Sequence, residues 1–166
     1  KRSITDKDWK RLYNNDVEVI YKHDVISFAR KKGYFNGRDS EFDFSEAYAP
    51  LDFSAARICD LRVWAMFNEA CDGMEQYWDY ATGKDLEHGR MSLYVRPNRK
   101  ISLSDMMSFM RNHFQGTELD KTQDVGAGAC GSPFRMNPLY WEYDGQKYFH
   151  ERSTSTVQTG FSFIAQ

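Results

Sequence analysis

Three cysteines, four prolines and four histidines are all that this 166-residue chain holds of its most constraining residue types. Cys59, Cys71 and Cys130 are odd in number and form no C-x-x-C pair, so neither a disulfide framework nor a zinc site is indicated. No stretch reaches the roughly 18 consecutive apolar residues that a membrane-spanning helix needs. The net charge is −2, so no general electrostatic pull draws the chain to nucleic acid. Internal repeats and low-complexity segments are missing too. What is abundant is aromatic: twelve Phe, ten Tyr and four Trp make up 16% of the residues. Rings in that number suit either a dense core or a carbohydrate- or peptide-binding surface. The length fits one domain with a substantial core.

One stretch invites a specific chemistry. In "DVGAGACGSPFR", residues 124–135, Gly126, Gly128 and Gly131 spell G-x-G-x-x-G, the spacing of a dinucleotide-binding turn. Such a turn follows a buried strand and opens a helix whose N-terminus faces the pyrophosphate. Here "TELDKTQ" precedes it, too polar for a buried parallel strand. Pro133 and Pro138 follow, and they block a helix. The glycines instead mark backbone needing positive φ or close approach.

Along the chain, Thr5 with Asp8 predicts a helix start, and Asp24 a cap on "VISFARKK", ended by Gly33. The aromatic stretch 34–53 reads as an ordered irregular connection. Residues 54–71 make the strongest helical pattern, apolar on several sides and therefore buried on several sides, with Cys59 and Cys71 as small hydrophobes. Gly73 closes it, and "GMEQYWDYATG" adds a helical turn. "MSLYVRP" reads as a strand. Ser102 and Asp105 cap a helix in which Leu103, Met106, Met107, Met110 and Phe114 form an apolar stripe up to Gly116. That stripe is expected to be a core face. "LYWEY-DG-QKYFHE" is a hairpin around Asp144-Gly145, and "STSTVQT" and "FSFIAQ" read as further strands. The whole is α+β: helical over 1–116, a loop over 117–138, β-rich over 139–166. The start "KRSITDKDW", without Met or signal peptide, and the end on a strand suggest a processed product or an excised piece.

Several of these stretches share a further likeness. "VISFARKKGYF", "AYAPLDF", "ISLSDMMSFMRNHFQGTELD", "GAGACGSPFR" and "ERSTSTVQTGFSFIAQ", in order, resemble the dipeptidases of peptidase family C69. The resemblance runs from Asp24 to Gln166. It implies an N-terminal-nucleophile hydrolase with an αββα sandwich fold, of which this chain supplies helices and part of the sheet. In that chemistry an N-terminal cysteine thiolate attacks the scissile carbonyl and the free α-amino group, with pKa near ~8, handles the proton. Hydrogen-bond donors stabilise the oxyanion. The chain departs from the pattern at its first residue, Lys1, so the resemblance places the catalytic Cys outside it and leaves no catalytic residue within it.

The candidates inside the chain are therefore substrate-binding ones. A dipeptide carries a free carboxylate, which an Arg fork matches bidentately. Arg152 and Arg135 both fall in family-like stretches, and Gly131 shapes the loop before Arg135. Either Arg could instead brace Asp120 or Asp124. Those two carboxylates are a weak calcium signature, and no metal or cofactor is called for. Cys130 reads as a loop residue. His113 reads as a helix-end residue hydrogen-bonded to a carbonyl. The expected partners are a dipeptide substrate and the remainder of the parent chain, with no nucleic acid and no membrane span. The competing reading is a non-catalytic, aromatic-rich peptide- or glycan-binding module. A Cys-dependent hydrolase complete in 166 residues is a third.

Overall fold

A computed structural model describes residues 22, 24–87, 89–134 and 140–165. The Thr5–Asp8 helix start lies outside them. Helix α1 (Val25–Lys31) ends as expected, with Gly33 at φ 74° and the Gly33 and Tyr34 amides donating to the Arg30 and Ala29 carbonyls. Its expected cap does not form. Asp24 has ψ 12° rather than an extended cap conformation, and its carboxylate lies 3.6 Å from the Lys22 ammonium.

The aromatic stretch that follows is more regular than its composition suggests. Asp43 accepts hydrogen bonds from the Ser45 and Glu46 amides at 2.7 and 3.2 Å, starting helix α2 (Phe44–Tyr48). Ala47 and Phe42 pack there against Ala29, and the Tyr48 hydroxyl donates to the Val25 carbonyl. These contacts make a small first core.

The second, larger core surrounds the predicted central helix. Asp52 caps it by accepting from the Ala55 amide at 2.7 Å. The helix runs as α3 (Phe53–Ala55), a π turn (Ala56–Asp60) and α4 (Leu61–Ala70). Leu61, Trp64 and Ala65 bury against Met74, Tyr80, Ala81, Met91 and Phe114. Cys59 is exposed, contrary to expectation, because the π turn carries it to the outer side; Cys71 is half-buried, its Sγ 3.3 Å from the Arg96 carbonyl. Gly73, at φ 78°, opens a 3-10 turn (Met74–Tyr77) that runs into α5 (Trp78–Ala81). Gly83 follows at φ 77°, and a Cβ there would stand 2.5 Å from the Phe53 ring. Buried Asp60 accepts from the Tyr80 hydroxyl, with Arg90 3.9 Å away.

Residues 91–97 form no strand. They have an apolar-polar alternation, but no neighbouring strand pairs with them among the described residues. Helix α6 (Leu103–Arg111) carries the predicted capping box, in which Ser102 Oγ accepts from the Asp105 amide and Asp105 accepts from the Ser102 amide. Two hydrogen bonds from Arg99 are the largest cause holding the Asp105 carboxyl well below the usual carboxylate range. The stabilisation is present above the ordinary carboxylate value near ~4 and fades as pH falls below it. Replacing Ser102 by Ala is expected to cost about 1 kcal/mol, read as a lower urea midpoint. An unchanged midpoint would mean that the Arg99–Asp105 pair alone sets the helix start.

Two expectations for α6 are corrected. The helix stops at Arg111, short of Gly116, because Asn112 turns extended and accepts the Phe114 amide on its side chain. Phe114 then adopts φ 65° and is fully buried. The Met stripe is also not a core face: Leu103, Met106 and Met107 are exposed, while Phe109 is buried. The side of α6 turned to α4 is partly polar, with Ser108 and Asn112 donating to the two Glu69 oxygens.

Strands β1 (Tyr140–Tyr143) and β2 (Gln146–Phe149) form the predicted hairpin, pairing Trp141 with Tyr148 and Tyr143 with Gln146. Asp144 and Gly145 both have positive φ, as a two-residue primed turn requires. Residues 153–165 form no strands, because nothing described pairs with them. Helices plus a two-stranded antiparallel sheet fit the α+β class.

Candidate functional site

The loop after α6 is braced by its own polar groups. Asp120 accepts from the Gly116 and Thr122 amides and from the Thr122 hydroxyl, at 3.2, 2.9 and 2.6 Å. The hydroxyl bond is the main cause that lowers the Asp120 carboxyl below its ordinary value. Asp124 caps a short 3-10 turn (Val125–Ala127). Among the described residues no three His, Cys, Asp or Glu side chains gather as a metal site would need.

The glycine-rich stretch then doubles back. Gly131 sits at φ 62°, its amide directed to the Gly128 carbonyl, and the Ser132 amide donates to the Ala127 carbonyl. A three-residue 3-10 turn rather than a strand precedes it, and residues 132–134 after it are not helical, which is not the strand–turn–helix of a dinucleotide site. Cys130 is exposed on the outside of this loop. The chain leaving Gly131 brings Pro133 and Phe134 to one wall of a cleft of about 40 Å³.

The opposite wall is the segment after the hairpin. Arg152, Ser153, Ser155 and Thr156 line it, with Lys121 between the two walls. Lys121 is only 6% exposed, and its ammonium donates to the Glu151 carbonyl at 2.7 Å. Three residues beyond Arg152 the Ser155 amide bonds the Asn112 carbonyl at 3.3 Å. The backbone is thus tied on both sides of Arg152. Arg152 itself is half-buried and makes no hydrogen bond or ion pair among the described residues, so it does not brace Asp120 or Asp124. Gly131 does not line the cleft; it positions the residues that do. Arg135 lies outside the described residues.

Glu151, beside Arg152, is paired from afar. Its Oε1 accepts from Arg57 Nε at 3.1 Å and Nη2 at 2.5 Å, and both side chains are largely buried. Arg57 comes from the π turn, over the Phe53 ring, and also donates to the Thr82 carbonyl at 3.0 Å. Neither Lys121 nor the Arg57–Glu151 pair is singled out by the sequence pattern. The one available signal is an arginine inside the apolar run "AARICDLRVWAMF".

His113 departs from expectation. Helix α6 ends before it, its ring stands edge-on to Phe134 with centroids 5.4 Å apart, and its Nε2 has no hydrogen-bond partner among the described residues. Burial, helped by the Lys121 charge and partly opposed by Asp120, pushes the imidazole below its ordinary value. His113 thus stands against Phe134 without lining the cleft itself.

The family model for peptidase family C69 matches residues 8–166 of the chain. A probable dipeptidase from Salmonella dublin is 27% identical over 110 residues, which covers 64% of this chain and 23% of that protein. The chain therefore spans about a quarter of the length of that relative. No solved structure matches.

Proposed function

The chain belongs to peptidase family C69, and on that premise we propose that it is the substrate-binding segment of a cysteine-type dipeptidase. The nucleophile in this reading is an N-terminal Cys that lies outside the 166 residues. The observation that carries the reading is Arg152. Its guanidinium has no partner among the described residues, its backbone is tied on both sides, and it lines a cleft beside the buried Lys121 ammonium. A volume of about 40 Å³ is room for roughly three water-sized positions, the scale of a carboxylate rather than of a side chain. The Arg152 fork takes both oxygens of a dipeptide C-terminus. Ser153, Ser155 and Thr156 line the same space, and Gly131 sets the facing wall. Arg135, next to Phe134, is a proposed second contact.

With the carboxylate held there, the remaining chemistry belongs to the nucleophile. A thiolate attacks the scissile carbonyl, the α-amino group carries the proton to the leaving amine, and water releases the acyl-enzyme. The exposed Leu103, Met106 and Met107 stripe is, in this reading, covered by further chain of the parent enzyme. The name of the Salmonella dublin relative supports the dipeptide as substrate class. Among the described residues no helix is long and apolar enough to cross a membrane.

The test compares the isolated segment with the longer parent enzyme on a panel of dipeptides. The parent hydrolyses them and still does so as Cys130→Ala, loses turnover when its N-terminal Cys becomes Ala, and the segment alone is inactive. Steady turnover by the segment, abolished by Cys130→Ala, would sink this reading and leave a complete Cys-dependent hydrolase in its place. A binding module has one observation in its favour, the stacked and partly exposed Trp141–Tyr148 pair on the hairpin. It predicts saturable binding of an oligosaccharide or peptide, lost in Trp141→Ala.

A further inference from the structure

Resting on the carboxylate reading of the cleft, we propose that Arg57 determines its selectivity for a free C-terminus by neutralising Glu151. A carboxylate site next to a glutamate poses an electrostatic problem. Glu151 precedes Arg152 in the chain and contributes to the same cleft as Lys121. Left alone, its negative charge would oppose an incoming carboxylate and offer Arg152 a competing partner. The structure resolves this by pairing Glu151 with a third cation. Arg57 holds Oε1 through two nitrogens, and its third contact, to the Thr82 carbonyl, fixes the guanidinium from behind. The side chains are 16% and 18% exposed, so water screens the pair weakly. Arg152 is then left without a competing partner at the cleft among the described residues.

The pairing is not local in sequence. It joins residues 94 positions apart, and on the Arg57 side it starts in the π turn between α3 and α4, a kind of helix irregularity that recurs at functional sites. A packing role alone would need neither a charged pair nor its placement beside a cationic cleft, because buried ion pairs contribute little net stability over apolar substitutes.

The experiment measures KM and kcat of the parent enzyme for a dipeptide and for the same dipeptide as its C-terminal amide. Arg57→Gln should raise KM for the free acid about tenfold, the effect of one uncompensated charge close to the site in a partly buried setting. The amide should change by less than about twofold, and kcat for either should move little. Glu151→Gln, which keeps the shape and still accepts from Arg57, should lower KM for the free acid. The double variant Arg57→Gln/Glu151→Gln should recover most of the loss. If both single variants raise KM alike and for both substrates, the pair is a mechanical brace and the proposal is wrong. Should Arg57→Gln fail to fold, the opposite sign expected for Glu151→Gln decides the question by itself. A wild-type enzyme that cleaves no dipeptide overturns the underlying function. One that cleaves acid and amide equally well overturns the carboxylate site; either result takes the role of Arg57 with it.

Discussion

Trp64→Ala is expected to lower the free energy of unfolding by about 3–5 kcal/mol. The side chain is 5% exposed and lies in the middle of the larger core, against Leu61, Ala65, Met74 and Tyr80. Its ring tilts against Trp78 with centroids 4.6 Å apart, a contact that adds to simple burial. Its indole N–H donates to the Met74 carbonyl at 2.7 Å, so truncation also leaves a buried acceptor unsatisfied. Cavity and orphaned carbonyl act in the same direction. Val125→Ala, at a fully exposed position, should fall within about 0.5 kcal/mol of wild type. Urea unfolding of both variants is the check. An equally small change for Trp64→Ala would put that ring on the surface, where an aromatic binding platform would want it.

Arg152→Lys is expected to lower kcat/KM for free-acid dipeptides by about tenfold to a hundredfold in the parent enzyme, the scale of a charge-assisted hydrogen bond. Lysine keeps the charge but loses the planar fork that, in the proposed reading, meets both carboxylate oxygens. The fork is pre-positioned, because Lys121 holds the Glu151 carbonyl on one side and Asn112 holds the Ser155 amide on the other. The amide substrate should lose much less, since its partner charge is already gone. The melting temperature should stay level, because Arg152 has no bond to lose among the described residues. A lower melting temperature with equal losses on acid and amide would instead make Arg152 a structural residue, and the carboxylate contact would have to be sought elsewhere.

What could be read from the sequence was what is local. Asp144-Gly145 forces a primed turn whatever surrounds it, and Ser102 with Asp105 caps a helix through atoms three residues apart. The central helix was legible from its apolar residues, and Gly73 from its position after them. The Phe44–Tyr48 helix had the same kind of signal, Asp43 followed by Glu46, but Pro50 and the crowd of aromatics drew the reading toward a loop. Strands were overcalled at 91–97 and 153–165 for one reason: alternation describes a residue pattern, whereas a strand is a property of a pair. The Met stripe shows a similar limit. Periodicity announces that a helix has two faces, and only packing says which is covered; Phe109 and the polar contacts to Glu69 turned the other face inward. At the site, Arg152 was reachable because it lies in a stretch resembling the dipeptidases. Lys121 and Arg57 were not, since each meets its partner, the Glu151 backbone or carboxylate, only on folding.

The π turn at Ala56–Asp60 has a bearing on how this helix tolerates changes in chain length. An α-helix advances about 100° per residue, so adding or dropping one residue ordinarily swings everything on one side of the change to a new bearing. Here the wider turn already accommodates an extra residue between the Asp52 cap and the Trp64 core. Deleting the exposed Cys59 would let the helix close as uniform α, with α4 still seated by Leu61, Trp64 and Ala65. The shortened stretch would nonetheless aim its arginine in a different direction, away from Glu151. Such a variant would keep helical content and core while losing the Arg57–Glu151 pair, separating by a single deletion what holds the helix together from what points it at the cleft.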